Sequence, residues 1–162
     1  MSSAIMNYLS WNSLDKKFYL LDTFQGLDVS QVSEAEKAAG YLDRNQNSLD
    51  RGDYVSGVDV VKKNFSEWKD AVVVQGSIPD SLSAVTSKQI AFIHMDLNCS
   101  PPEVAALEVL WDRLVPGAYI VHDDYAQVAH KISKDGMDKF AASKGLQFVS
   151  LPTGQGLLIK PN

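Results

Sequence analysis

Four aspartates close three short apolar runs. Asp22 follows Phe18-Tyr19-Leu20-Leu21, Asp96 follows Ile90 to Met95, and Asp123-Asp124 follow Ala118 to Val121 and His122. Carboxylates gathered at one point repel each other, which raises the pKa of at least one of them. A hard divalent cation such as Mg2+ relieves that repulsion, because it takes oxygen ligands in octahedral geometry. Asp96, Asp123 and Asp124 are therefore candidate metal ligands. The competing reading makes them caps and turn residues, a frequent use of aspartate, and the pattern alone leaves both open. His94 and His122 lie beside these acids and are candidate general bases or ligands; a histidine satisfied within a core is the plainer alternative. Asp22 has its own rationale, since an acid ending an early strand of a nucleotide-binding sheet accepts hydrogen bonds from ribose hydroxyls. Gly76-Ser77 can bring backbone amides close to a ligand or form a simple turn. Cys99 has no evident base or orienting partner that would make it a nucleophile.

The elements that must position these groups follow from a period that switches between two and 3.6. Strands are expected at Phe18 to Asp22, Ala71 to Gln75, Ile90 to Met95 and Ala118 to Val121. Helices are expected at the N-terminus behind Ser2-Ser3, over Val32 to Leu42, and through Val58, Val61 and Phe65. A further helix starts at Ser100-Pro101-Pro102-Glu103, carries the stripe Val104, Leu107, Trp111 and Leu114, and stops at Pro116-Gly117. Another is framed by Val128, Ile132, Phe140 and Lys144. The polar tract Asp43 to Asp53 reads as an exposed loop. Phe148 to Leu151 and Leu157 to Ile159, joined by a Pro152 to Gly156 turn, read as an antiparallel hairpin. Strands alternating with helices give a Rossmann-like, doubly wound, mostly parallel α/β sheet. In such a sheet ligands bind at the carboxyl ends of the strands, where the aspartates stand.

The whole is one domain: 162 residues with 45% hydrophobic and 22% charged residues bury a sizeable core without a metal or disulfide. The net charge of −5 argues against a nucleic-acid partner. No apolar run is long enough to span a membrane, and the single cysteine makes a reducing cytoplasm the expected compartment. The glycines form no G-x-G-x-x-G between a strand and a helix. Gly52 to Gly57 has the spacing of a phosphate-binding loop but continues Val58-Asp59 where Lys and Ser/Thr are required. Zinc-type spacings and the G-x-S-x-G elbow are absent as well.

FYLLDTFQGLD (18–28), QGSIPDSL (75–82), FIHMDLNCSPPE (92–103) and RLVPGAYIVHDDYA (113–126), in this order, resemble the macrocin O-methyltransferase family over about residues 2–160. The resemblance implies a class I S-adenosylmethionine-dependent enzyme that methylates a hydroxyl of a sugar or other small-molecule natural product. It implies Mg2+ on Asp96, Asp123 and Asp124, ribose binding by Asp22, and an adenine-side loop at Gly76-Ser77. Two departures are visible. Asn98 stands where the family commonly has a second aspartate. The family's first strand and glycine-rich turn would precede the first helix, so the expectation is an N-terminally truncated domain lacking that strand. Its sheet must then close the gap, borrow a strand from another copy, or belong to a longer protein. A homo-oligomer is expected. The rival expectation is a degenerate, non-catalytic Rossmann-like domain that dimerises and binds no cofactor.

Overall fold

The structure is a computed structural model that describes residues 1–53 and 57–162. The Gly52–Gly57 spacing noted above runs through 54–56, outside the described residues. Among the described residues six strands and six α-helices carry the architecture: α1 (Ser2–Tyr8), β1 (Phe18–Asp22), α2 (Glu34–Ala38), α3 (Tyr41–Arg51), α4 (Val58–Asn64), β2 (Ala71–Gln75), β3 (Ile90–Met95), α5 (Ser100–Leu110), β4 (Leu114–His122), α6 (Lys131–Ser143), β5 (Val149–Ser150) and β6 (Gly156–Ile159). The α/β class is as expected. The strands, however, form two sheets. β1 and β2 pair in parallel from Phe18 with Ala71 to Asp22 with Gln75. The second sheet has the order β3-β4-β6-β5, with β3 and β4 parallel and the closing hairpin antiparallel. Among the described residues no backbone ladder joins the two sheets, so β1 and β3 each keep one unpaired edge.

The apolar runs made the strand positions readable, although their β-branched residues range from Ile120, fully buried, through the half-buried Val72, Val73, Val74 and Ile93 to the exposed Ile159. The main core packs α5 and α6 against the larger sheet through Leu107, Ile120, Met137 and Leu158. Tyr19 and Leu21 of β1 reach into the same core, so side chains join the two sheets where backbone does not.

Four local expectations are corrected. Asp43 to Asp53 is not a loop: most of it belongs to α3, because Tyr41, Asn45 and Leu49 recur at helical spacing on the inner face. Gly40 and Gly52, both left-handed at φ 78° and 72°, delimit it. The expected helix over Val32 to Leu42 is thereby divided at Gly40 into the short α2 and the start of α3. Pro116-Gly117 does not stop a helix. α5 ends at Leu110, a single tight turn follows, and Pro116-Gly117 lies inside β4 where its register against β3 shifts between the Ile90 and Phe92 pairings. Ser2-Ser3 supply no side-chain cap to α1, whose buried residue is Met6.

Candidate functional site

A cavity of about 300 Å³ opens at the carboxyl ends of β1, β2 and β3 and bridges the two sheets. Asp22, Gly76, Ser77 and Asp96 all line it, together with Asn98, which stands where the family commonly has an acid, and Asp28, which no sequence signal placed there. The backbone around Asp22 is tightly tied. Its Oδ1 accepts the Phe24 N–H at 2.6 Å, an Asx turn that carries Phe24 into the left-handed region (φ 56°). Gly26 follows at φ 87°, where a Cβ would meet Asn45 Oδ1 at 3.0 Å and Leu49 Cδ1 at 3.1 Å. Asn45 Oδ1 in turn accepts the Leu27 N–H at 3.1 Å, so α3 holds the loop after β1 against the cavity. After β2, Ser77 Oγ donates to Asp28 Oδ2 at 2.5 Å and so joins the β1 and β2 loops along one wall. Hydrogen bonds from Ser30 and Ser77 hold the Asp28 carboxyl below its ordinary range.

Beside the cavity, His94, Asp96 and Asp123 each present a ligand atom within 4.8 Å of the others. His94 Nε2 lies 3.3 Å from Asp123 Oδ1, and Gln155 Nε2 donates to the same oxygen at 2.6 Å. Asp96 meets solvent yet is set in a concavity among other acids. Loss of bulk water, then the charges of Asp123 and Asp124, push its pKa up to about 6. Burial also pulls on Asp123, but the bonds from Gln155 and His94 outweigh it and hold that carboxyl below its ordinary value. Asn98, left-handed at φ 60°, donates from its amide to Asp96 Oδ1 at 3.2 Å.

Asp124 stands apart from this triad. Its Oδ1 accepts Gln127 Nε2 at 2.6 Å, and its Oδ2 lies 3.5 Å from His130 Nδ1. His122 does not line the cavity. It is 1% exposed, with Nε2 3.1 Å from Glu103 Oε2 and 3.2 Å from Ser133 Oγ, and it ties β4 to α5 and α6 within the core. The two histidines thus part company: His94 faces the acids and His122 is interior. Cys99 is buried, and burial pushes its thiol up to about 12. Asp28, Asn45 and Gln155 escaped the sequence reading because their roles arise from contacts between distant segments. Only the Asx-like D-x-S at Asp28 to Ser30 left a local sign.

Parallel strand pairs with helices between them and a cavity across their carboxyl ends give the domain a Rossmann-like architecture. The profile of the macrocin-O-methyltransferase family matches residues 2–149, and the chain belongs to that family. The fold resembles the O-methyltransferase NovP with a TM-score of 0.78 at 17% identity, covering 98% of this chain and 64% of NovP. It also resembles the calicheamicin methyltransferase CalS11, with a TM-score of 0.60 at 19% identity over 89% of this chain and 60% of CalS11. The chain thus spans less than two thirds of the length of these structures. No curated protein sequence matches it. No helix among the described residues is long and apolar enough to cross a membrane.

Proposed function

We propose that this chain carries the cofactor and cation sites of an O-methyltransferase that transfers a methyl group from S-adenosylmethionine to a hydroxyl of a sugar or similar natural product. The observation that carries the reading is the cavity that collects Asp22, Gly76, Ser77 and Asp96 from three strand ends, next to the His94–Asp96–Asp123 triad. The cavity fits the cofactor in kind: an acceptor at the end of β1 suits vicinal ribose hydroxyls, and the half-buried Gly76-Ser77 turn lines the same cavity. The triad fits a cation with a base beside it: the two carboxylates are the oxygen donors that Mg2+ or Mn2+ takes, and the imidazole is left to carry a proton.

When bound, S-adenosylmethionine supplies an electrophilic methyl group, and a divalent cation supplies charge that lowers the pKa of an acceptor hydroxyl. The chain's own residues do the rest. Asp22, oriented by the Phe24 N–H, accepts from the ribose. Asp96 and Asp123 would hold the cation, and Asn98 would trim the charge of the set by standing where an acid is common in the family. His94 is the group placed to hold the acceptor's proton, with Asp123 beside it to stabilise the charged ring. In-line methyl transfer draws much of its rate from such positioning. Asp124, bonded to Gln127 and His130, orders the segment that follows β4.

Titration calorimetry with S-adenosylmethionine, with and without Mg2+, tests the proposal. Binding at micromolar levels or tighter supports it, and no detectable heat overturns it for this chain. The unpaired edges of β1 and β3 favour a second reading, a domain that self-associates through them and takes no cofactor. Sedimentation at several concentrations separates the two: a monomer that binds S-adenosylmethionine removes the second reading.

A further inference from the structure

Glu36 is 0% exposed, yet it is a carboxylate. Burying a charge without compensation costs several kcal/mol, so its partners must account for its place. Within α2 it completes a capping box: Oε2 accepts the Ser33 N–H at 2.9 Å and Ser33 Oγ–H at 2.6 Å. Its other oxygen leaves the helix altogether. Oε1 accepts the N–H of Ser100 at 2.6 Å, the first residue of α5 and 64 positions away. The positive end of α5 adds to that attraction, and a charged acceptor strengthens each of these bonds.

The location gives the bond its meaning. α2 follows β1, whereas Ser100 follows β3, so the carboxylate spans the division between the two sheets. Ser100 directly continues Asp96-Leu97-Asn98-Cys99, the segment that lines the cavity on the β3 side. Around it, buried Val32, Tyr41 and Cys99 pack with Leu27 and Ile132 in a small apolar cluster of their own. A capping box needs only the Ser33 bonds. The bond to Ser100 serves the helix of another sheet, and it sets how far the Asp96–Cys99 segment lies from the wall built by Asp22 and Ser77.

We infer that Glu36 is a positioning residue for the cofactor cavity: it clamps the segment after β3 against the half of the molecule that carries β1. Its value for ligand binding rests on the function proposed above, while the clamp does not. Two variants separate the roles. Glu36→Gln keeps the shape and one acceptor but removes the charge and one of the two acceptor oxygens. Ser33→Ala weakens the same capping box and leaves the bond to Ser100 intact.

The experiment reads amide exchange at Ser100 and the 96–99 segment, thermal stability, and S-adenosylmethionine affinity for the two variants and the parent. Glu36→Gln is expected to speed exchange at Ser100 and weaken S-adenosylmethionine by about tenfold, the scale of one charge-assisted bond. Ser33→Ala is expected to lower the melting temperature while leaving both other readouts at the parent level. Unchanged Ser100 exchange in Glu36→Gln overturns the clamp. So does a loss of affinity that tracks melting temperature equally in both variants. Should the parent itself take up no S-adenosylmethionine, the proposed function fails, and exchange at Ser100 still decides the clamp.

Discussion

At the scale of single residues, the acids around the cavity are tuned in opposite directions, and each direction has a measurable sign. Asp96 binds its proton more tightly in the folded protein, at about 6 against an ordinary value of 3.8. A carboxyl raised in this way contributes stability that is present below the lower value and is lost as pH rises through the upper one. The cation-free protein is therefore expected to lose a contribution to its melting temperature between about pH 4 and pH 7, and Asp96→Asn is expected to flatten that part of the profile. Saturating Mg2+ at neutral pH should raise the melting temperature of the parent and leave Asp96→Asn unmoved. Asp22→Ala should weaken S-adenosylmethionine by about 10- to 100-fold in calorimetry, the loss expected for hydrogen bonds to a charged acceptor. Cys99, buried with its thiol pushed up to about 12, should resist a thiol reagent in the native state and react once the chain is unfolded in denaturant.

At the scale of elements, legibility followed the source of each signal. β1, β2 and β3 were readable to the residue because their apolar runs end abruptly at Asp22, Gln75-Gly76 and Asp96. α3 was hidden, since DRNQNSLD carries few apolar side chains and its inner face is built from Asn45 and Leu49 with polar neighbours between. The strand-end acids were visible as types in the sequence. Their division into a His94–Asp96–Asp123 triad and an outlying Asp124 was not, because Gln127 and His130 claim Asp124 through a turn that no periodicity marks. Glu36 had a local sign, the S-x-x-E of a capping box at Ser33, but its bond to Ser100 depends on contact across the sheets. The hairpin offers a test at this scale. A Cβ at Gly156 would lie 2.5 Å from Tyr125 Cγ, and Tyr125 stacks on Phe148 at 5.2 Å between centroids. Gly156→Ala is expected to destabilise the protein by about 1–3 kcal/mol, the cost of overpacking a filled site, measured by denaturant unfolding.

At the scale of the molecule, the feature with the widest reach is the division of the sheet. β3, β4 and β6 share one large core with α5 and α6, while the β1–β2 pair joins it through Tyr19 and Leu21 of β1. Cooperative units of unequal stability follow from unequal burial, so native-state amide exchange should report two levels, lower in the β1–β2 half. A ligand seated across the division favours only states in which both halves are closed, and linkage then adds its binding energy to the weaker half first. Protection gained by residues 18–22 and 71–75 upon addition of S-adenosylmethionine would exceed that gained by 118–122. The cofactor would act here as a missing structural member as much as a reactant, and the protein's rigidity would become a readout of its occupancy.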